Sequence, residues 1–436
     1  MTLSQVRDLF RRAGCVRLYA KTLAENDNSK NQVYFGGDFE SLHLFPMREI
    51  RADNRGDSPT FKAQLDFSWI STSGVLSPAP RAQLILYPRY PEVRFSGFLQ
   101  GSDNAPSDLM AHRIPGRILF LGVRGTSGVI GYVLPADASA SREVTALKMT
   151  VSQDLFLAIP LGSAQELWDP RRLLISELSR IHHKGWIDSK QLKSDGSLAP
   201  CEAGQCGGFT LEAELGIPKN SSSNPDFHGW EIKQHGVDRF DRPFSGSPIT
   251  LMTPEPTGGF YIDEGVERFV RRYGYPDRNG RLDRLNFGGR FVVGSTAVLT
   301  GVRMDLRGFD SQRGSIADPA GAIELYGPTG EVAASWAFTG ILSHWSRKHT
   351  NAAYVPSLRR SVPRTQYSYG GHVRLGEGTD PLLFLKALVA GKVFYDPGIK
   401  LEQASGDSRS KRRSQFRIMS KDIGALYRRM EIVELA

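Results

Sequence analysis

The chain has 436 residues, of which 40% are hydrophobic and 23% charged. This length exceeds one ordinary core and predicts two domains. Lysine and arginine outnumber acids by 55 to 46, giving a net charge of +9, which suits a polyanionic partner but would also suit a membrane surface. The sequence has no run of about 18 apolar residues and its start lacks the long apolar core of a signal peptide. We therefore expect a soluble, cytoplasmic protein without a membrane span.

Short segments that alternate apolar and polar residues fill the first part of the chain. They recur about every ten residues, which predicts a mostly β domain of barrel or sandwich type. These segments are residues 15–23, 31–35, 61–70, 81–88, 92–98, 117–123 and 128–134.

The end of this domain is predicted near Gly162. Residues 136–142, ADASASR, are interpreted as an exposed loop, and residues 146–162 as a further strand-like run. A helix from Ser163 to His182 is expected to open the second domain.

The cysteine content is low: Cys15, Cys201 and Cys206. An odd count in a long chain predicts no disulfide framework and suits a reducing compartment. Cys201 and Cys206 could join His182 and His183 in a zinc site, but this spacing is poor for tetrahedral coordination. The alternative is a flexible glycine-rich loop.

Three acids and a lysine lie close together in the middle of the chain: Glu212, Asp226, Glu231 and Lys233. Residues 227–232 predict a strand, from which Glu231 and Lys233 leave on the same face because they are two residues apart. A turn set by Pro225 can swing the Asp226 carboxylate toward Glu231. Glu212 falls in a predicted short helix over residues 208–217.

These residue types fit metal-dependent hydrolysis of a phosphodiester. Mg²⁺ prefers oxygen ligands and is usually held by one or two carboxylates plus phosphate oxygens, so Asp226 and Glu231 are the predicted ligands. Lys233 can orient the nucleophile and stabilise developing negative charge, and Glu212 is given a supporting role. The alternative for Glu231 and Lys233 is an ordinary surface ion pair.

A second triplet satisfies the loosest form of the same pattern. It consists of Asp188, Ser189 and Lys190, with Asp169 upstream. Because it lies in a polar stretch without an apolar strand, it is interpreted as a chance match.

Two sequence motifs resemble those of the MvaI/BcnI restriction endonuclease family, a MutH-like branch of the PD-(D/E)xK nucleases. They are TLE-x-x-LGI (residues 210–217) and PD-x4-EIK (residues 225–233). The likeness continues in residues 273–287, 344–356 and 373–402, and spans about residues 170 to 436. It implies that the four residues named above match the active-site positions of the family. It also implies a MutH-like α/β nuclease domain that uses Mg²⁺.

Residues 17–35 and 91–102 resemble the EcoRII-type effector domain, a pseudobarrel related to plant B3 DNA-binding domains. Such domains grip the major groove with two arms. The resemblance implies one arm carrying Lys21, Asn26 and Asp27, and another carrying Glu92 and Arg94. Arginine can bond guanine, asparagine adenine, and a carboxylate cytosine. The alternatives are solvated charges on a diverged scaffold that binds no DNA.

Two basic segments lie in the nuclease half. The first carries His344, Arg347, Lys348 and His349, which could read G·C edges in the major groove or only touch phosphate. The second, residues 405–417, is interpreted as a basic loop before the last strand and helix, either contacting phosphate or solvated.

The predicted fold is mixed α+β, with a B3-like β-pseudobarrel over residues 1–162 and a MutH-like α/β PD-(D/E)xK nuclease domain over residues 163–436. By resemblance, the chain is expected to be a type II restriction endonuclease of the IIE kind that cuts a short CC-x-GG-type duplex site with Mg²⁺. It would act as a monomer, leave 5′-phosphate ends, bind a second effector site and occur with a cognate DNA methyltransferase. The alternatives are a MutH-like strand-nicking repair endonuclease and a non-catalytic DNA-binding regulator.

Overall fold

The computed structural model describes residues 1–25, 32–55, 58–111, 113–125, 128–147, 155–162, 169–219, 226–348, 350–406 and 408–436. The chain divides into two compact units, Met1–Asp169 and Pro170–Ala436. The division follows Asp169, and the sequence predicts it near Gly162. Within the described ranges, no helix is long and apolar enough to cross a membrane.

The first unit is built mainly from strands, which confirms the predicted β character. Its described helices are α1 Leu3–Arg12, α2 Ser107–Ala111 and α3 Ser139–Thr145, with a 3-10 helix at Glu40–His43. Its described strands are β1 Arg17–Leu23, β2 Gln32–Gly36, β3 Ile50–Asp53, β4 Thr60–Gln64, β5 Phe67–Ile70, β6 Leu76–Pro78, β7 Gln83–Tyr87, β8 Glu92–Ser96, β9 Arg117–Val123, β10 Val129–Leu134 and β11 Leu157–Ala158.

These strands form two sheets, in the orders β11-β1-β9-β10-β5-β6 and β2-β8-β7-β4-β3. Aromatic side chains fill the space between them: the rings of Phe67 on β5 and Phe95 on β8 are 5.1 Å apart. On the other face of the six-stranded sheet, α1 buries Val6, Leu9 and Phe10. A core on both faces explains why seven-residue β9 is buried along its whole length.

Two local predictions for this unit are wrong. Residues 136–142 do not form an exposed loop, because helix α3 begins at Ser139 and buries Ala140, Ser141 and Val144. The alternating segment 61–70, expected as one strand, forms two strands, β4 and β5, which lie in different sheets. The strand-like run over residues 146–162 lies partly outside the described residues, and β11 is its described strand.

The second unit mixes helices and strands. Its described helices are α4 Pro170–His183, α5 Cys206–Glu214, α6 Phe260–Asp263, α7 Gly265–Tyr273, α8 Phe338–Lys348 and α9 Pro381–Val389, with a 3-10 helix at Ser420–Leu426. Its strands are β12 Ile187–Asp188, β13 Lys190–Leu192, β14 Leu198–Pro200, β15 Trp230–Gly236, β16 Pro248–Met252, β17 Tyr275–Pro276, β18 Arg284–Gly288, β19 Arg303–Arg307, β20 Phe309–Asp310, β21 Ser315–Ile316, β22 Ala322–Tyr326, β23 Val332–Ala337, β24 Asn351–Arg360, β25 Gln366–Tyr369, β26 His372–Thr379, β27 Val393–Tyr395, β28 Gly398–Glu402, β29 Arg409–Lys411, β30 Phe416–Met419 and β31 Tyr427–Glu434.

The central sheet of this unit has the order β12-β25-β24-β26-β31, and β15 pairs with β24 in parallel. Helices α4 and α5 pack on one face of this sheet. They bury Leu174, Leu178 and Leu211 against Trp230 and Ile232 of β15. The smaller sheets are β16-β30-β27, β17-β18-β28-β29 and β19-β22-β23, with two-stranded pairs β13-β14 and β20-β21. The expected mixed α+β architecture is therefore present.

Cys201 and Cys206 form a disulfide, which the prediction of no disulfide framework did not anticipate. This disulfide closes a short loop that ends at Cys206, the first residue of α5. Both sulfurs are engaged with each other, which leaves no thiolate for a metal. Cys15 is buried, and that burial raises the pKa of its thiol to about 11.

Candidate active site

A tight turn separates Asp226 from β15. Phe227 and Trp230 exchange backbone hydrogen bonds of 2.9 and 2.8 Å. The two residues between them, His228 and Gly229, both have positive φ, 47° and 89°. This is the backbone of a type I′ turn, which glycine adopts without steric cost and histidine does not.

The turn brings Asp226 back against the start of the strand. Its Oδ2 accepts a hydrogen bond of 3.0 Å from the backbone N–H of Ile232. The sequence assigned this reversal to Pro225, which lies outside the described residues, and it missed the role of His228 and Gly229. A short polar-glycine pair between apolar residues was the available signal. The predicted strand over residues 227–232 begins instead at Trp230 and continues to Gly236.

Glu231 and Lys233 leave β15 on the same face, as the sequence predicts. The Lys233 Nζ donates a hydrogen bond of 2.5 Å to Oε1 of Glu231. The Glu231 side chain is 1% exposed and the Lys233 side chain 19%. The interaction is therefore a largely buried ion pair. The alternative considered from the sequence was a solvent-exposed surface pair, which contributes little to stability.

Three acids act on Lys233. Burial of its ammonium disfavours the charged form, but Glu231, through its charge and its hydrogen bond, then Asp226 and Glu212 outweigh that effect. The pKa of Lys233 is consequently raised above its ordinary value. The lysine is a cation at neutral pH, suited to donating hydrogen bonds to an anion or a water.

Glu212 lies on α5, confirming the predicted short helix. Contacts with β25 and β15 help to hold α5 in place. The Tyr369 hydroxyl donates a hydrogen bond of 2.7 Å to the carbonyl of Gly207. Gly207 also packs so closely on β15 that an added Cβ would lie 2.8 Å from Oε1 of Gln234. The helix is thereby fixed to both β25 and β15, and with it the position of Glu212.

The donor set suits a hard divalent cation. Within the described part of the chain, no group of three or more His, Cys, Asp or Glu side chains could hold a metal ion. Two carboxylates lie at the start of β15, those of Asp226 and Glu231. Mg²⁺ tolerates so few protein ligands because it keeps waters and takes further oxygens from phosphate.

The second acid-x-lysine triplet is placed differently. Asp188 pairs with Arg364 at 3.0 Å and Lys190 with Glu214 at 2.5 Å. The two charged residues of the triplet therefore belong to separate ion pairs, and they lie on different short strands, β12 and β13.

The residues predicted to contact effector DNA are only partly described. Lys21 lies in β1 and is 4% exposed. The resemblance implied a position on a DNA-binding arm, but the side chain is buried. Glu92 and Arg94 lie on β8, where Nε of Arg94 donates a hydrogen bond of 3.0 Å to Glu92. Both side chains are about one-third exposed or less. Asn26 and Asp27 lie outside the described residues.

The segment predicted to read bases lies at the end of α8. The helix is anchored there by Trp345, which is fully buried and whose Nε1 donates a hydrogen bond of 3.1 Å to Thr379. Arg347 is exposed and His344 half-buried. The side chain of Lys348 and all of His349 lie outside the described part of the chain. The second basic segment is not a simple loop, since it contains β29 and leads into β30.

Two solved structures are similar to this chain: the restriction endonuclease MvaI bound to its cognate DNA, with 17% identity and a TM-score of 0.45 over 62% of this chain and 99% of that chain, and MvaI without DNA, with 15% identity and a TM-score of 0.35 over 61% and 98%. No curated protein sequence matches.

The sequence model of the MvaI/BcnI restriction endonuclease family matches residues 175–427. This match covers more than half of the 436 residues and includes the four residues of the candidate site. The chain therefore belongs to the MvaI/BcnI restriction endonuclease family, whose members cleave DNA at specific sites.

Proposed function

We propose that the protein is a Mg²⁺-dependent type IIE restriction endonuclease with Glu212, Asp226, Glu231 and Lys233 as its active site. The observation that carries this proposal is the buried pair of Glu231 and Lys233 on one face of β15, with Asp226 turned back against the same strand. Asp226 and Glu212 add two further acids whose charges act on Lys233, which is the set of groups that metal-assisted phosphodiester hydrolysis uses.

Each residue has a distinct task. Asp226 and Glu231 would hold the metal ion, which when bound supplies positive charge against the phosphate and lowers the pKa of a water. Lys233 donates hydrogen bonds that position the attacking water and stabilise the charge developing on phosphorus-bound oxygens. Glu212 supports the Lys233 ammonium from α5. The oxygen of the attacking water forms a new bond to phosphorus and loses a proton while the bond to the 3′ oxygen breaks. The products are a 5′-phosphate and a 3′-hydroxyl, whose oxygen has taken up a proton.

The DNA sequence that the protein recognises is proposed from the resemblance of the second unit to the MvaI/BcnI family and of the first unit to the EcoRII-type effector domain. The site is a CC-x-GG-type duplex sequence, contacted in the nuclease unit by the end of α8, with Arg347 as its exposed cation. The first unit binds a second copy of the site through Glu92, Arg94 and the segment with Asn26 and Asp27. The protein acts as a cytoplasmic monomer beside a cognate DNA methyltransferase.

The test is cleavage of plasmids that carry no, one or two CC-x-GG sites, with Mg²⁺ and with EDTA. We compare the wild type with Lys233→Ala and with Asp226→Asn, which keeps an acceptor for the Ile232 N–H while removing the carboxylate charge. The matched control is Asp188→Asn, at the second triplet.

The wild type and Asp188→Asn are expected to give discrete fragments, and faster cutting with two sites. Lys233→Ala and Asp226→Asn should slow cleavage by at least about a hundredfold while still binding the duplex. Cleavage by Lys233→Ala at the wild-type rate would refute the assigned site. Cutting elsewhere would refute the sequence specificity alone.

A further inference from the structure

A second charged surface lies on the sheet β17-β18-β28-β29. Register places Asn286 opposite Lys400 and Arg284 opposite Glu402, and Lys400 opposite Lys411. Residues directly opposite in an antiparallel pair share a face. We call this face, together with the flanking arginines, the basic face; its cations are Arg281, Arg284, Lys400, Arg409, Lys411 and Arg413.

The other side of this sheet is core. Ile399 and Leu401 alternate with Lys400 on β28 and are 1% and 0% exposed, and Phe287 on β18 is also buried. Antiparallel sheets with one buried and one solvated side show this alternation. The cations are therefore held by a rigid strand framework.

Like charges crowd around Lys400. Its direct cross-strand neighbour is another lysine, an arrangement that destabilises a sheet. Burial, then Arg284, Arg413 and Arg281, lower the pKa of Lys400, with Glu402 opposing them. The Arg413 guanidinium also packs on Gly398, where a Cβ would come within 2.9 Å of its Nε.

The acids nearby are already engaged. Glu402 pairs with Lys411 at 3.0 Å and lies 4.0 Å from Arg281. Asp277 accepts a hydrogen bond of 3.0 Å from Asn286 and lies 3.5 Å from Arg284. Lys400 thus sits at the centre of an ordered positive surface, whose self-repulsion an external polyanion would relieve.

We propose that the basic face binds the phosphodiester backbone of duplex DNA, with Lys400 at its centre. This inference rests on the proposed function, because it gives the cleaved duplex a second contact surface, on strands β18, β28 and β29. Phosphate contacts of this kind position a duplex and contribute affinity without reading its sequence.

The experiment measures binding of the full chain to a labelled duplex in EDTA, where no cleavage occurs, over a range of salt concentrations. Wild type is compared with Lys400→Met, Lys400→Arg and the control Lys421→Met, which removes an exposed lysine from the 3-10 helix Ser420–Leu426. The thermal midpoint of each variant is measured in the same buffer.

Lys400→Met should weaken binding severalfold and reduce the slope of log K against log salt by about 0.9, the value for one lost phosphate contact. It should also raise the thermal midpoint, since it removes a crowded charge. Lys400→Arg should keep the wild-type slope, and Lys421→Met should change neither quantity.

An unchanged slope and affinity in Lys400→Met would overturn the proposal. So would weaker binding accompanied by a lower thermal midpoint, because that pattern indicates a packing role for Lys400. Neither result bears on cleavage. Conversely, a chain that cuts no DNA but shows the expected slope change would sink the proposed nuclease and leave the basic face as a DNA-binding surface.

Discussion

The pair of Glu231 and Lys233 combines burial with charge. A carboxylate that is 1% exposed is costly to ionise unless a cation compensates it. Lys233 supplies that cation from two residues along the same strand. The lysine is in turn held by the negative charges of Asp226 and Glu212. The four side chains form one electrostatic unit, so their single substitutions are expected to be non-additive.

Removing only the lysine should destabilise the fold. We expect Lys233→Ala to lower the free energy of unfolding by about 2–3 kcal/mol without metal, because it leaves a buried carboxylate uncompensated beside two other acids. The double variant Glu231→Gln/Lys233→Met should recover at least half of that loss. Urea denaturation at neutral pH in EDTA measures both values.

The double variant also separates stability from chemistry. It should remain inactive although its fold is restored, since it lacks both a metal ligand and the cation. If the double variant is no more stable than Lys233→Ala, Glu231 and Lys233 do not interact in solution.

At the scale of elements, the turn at residues 227–230 explains the spacing of the acidic motif. Four residues between Asp226 and Glu231 suffice for one tight reversal, after which the Asp226 carboxylate meets the N–H of Ile232. The motif is thus a turn followed by a strand, and the positive φ at residue 229 is part of its geometry.

Gly229 is consequently a positioning residue of the site. A Cβ at this position would meet no neighbour within 4 Å, but the φ of 89° is unfavourable for any other residue. Gly229→Ala should therefore cost about 1 kcal/mol of stability and reduce the cleavage rate more than Gly216→Ala, an equivalent change at the end of α5 (φ 73°). Equal effects of the two substitutions on cleavage would show that the turn does not position Asp226.

How well each element could be predicted depends on whether its signal is local. The segments 92–98 and 117–123 predicted β8 and β9 because the signal lies in each strand's own residues: buried positions alternate in β8, and β9 is a continuous buried run. The strand carrying Glu231 was predicted three residues early, since an apolar turn resembles a strand in sequence. The burial of Lys21 and the partnership of Lys400 with Lys411 were not predictable, because cross-strand register decides them.

At the scale of the whole molecule, the chain forms two compact units, Met1–Asp169 and Pro170–Ala436. The four residues of the candidate site and all six cations of the basic face belong to the second unit. The first unit has its own aromatic core between two sheets. Each unit therefore has the packing that independent folding requires.

This division predicts how activity is distributed. A chain starting at Pro170 should fold and cut a one-site plasmid within about tenfold of the full-length rate, because it keeps the complete site and the basic face. It should lose the faster cutting of two-site plasmids, since effector binding is proposed for the first unit. The matched full-length control is Arg94→Ala, which breaks the pair with Glu92 on β8 and should reduce the two-site advantage without changing one-site cleavage. If the shortened chain keeps the two-site advantage, the second unit itself engages two duplexes, and the first unit does not bind effector DNA.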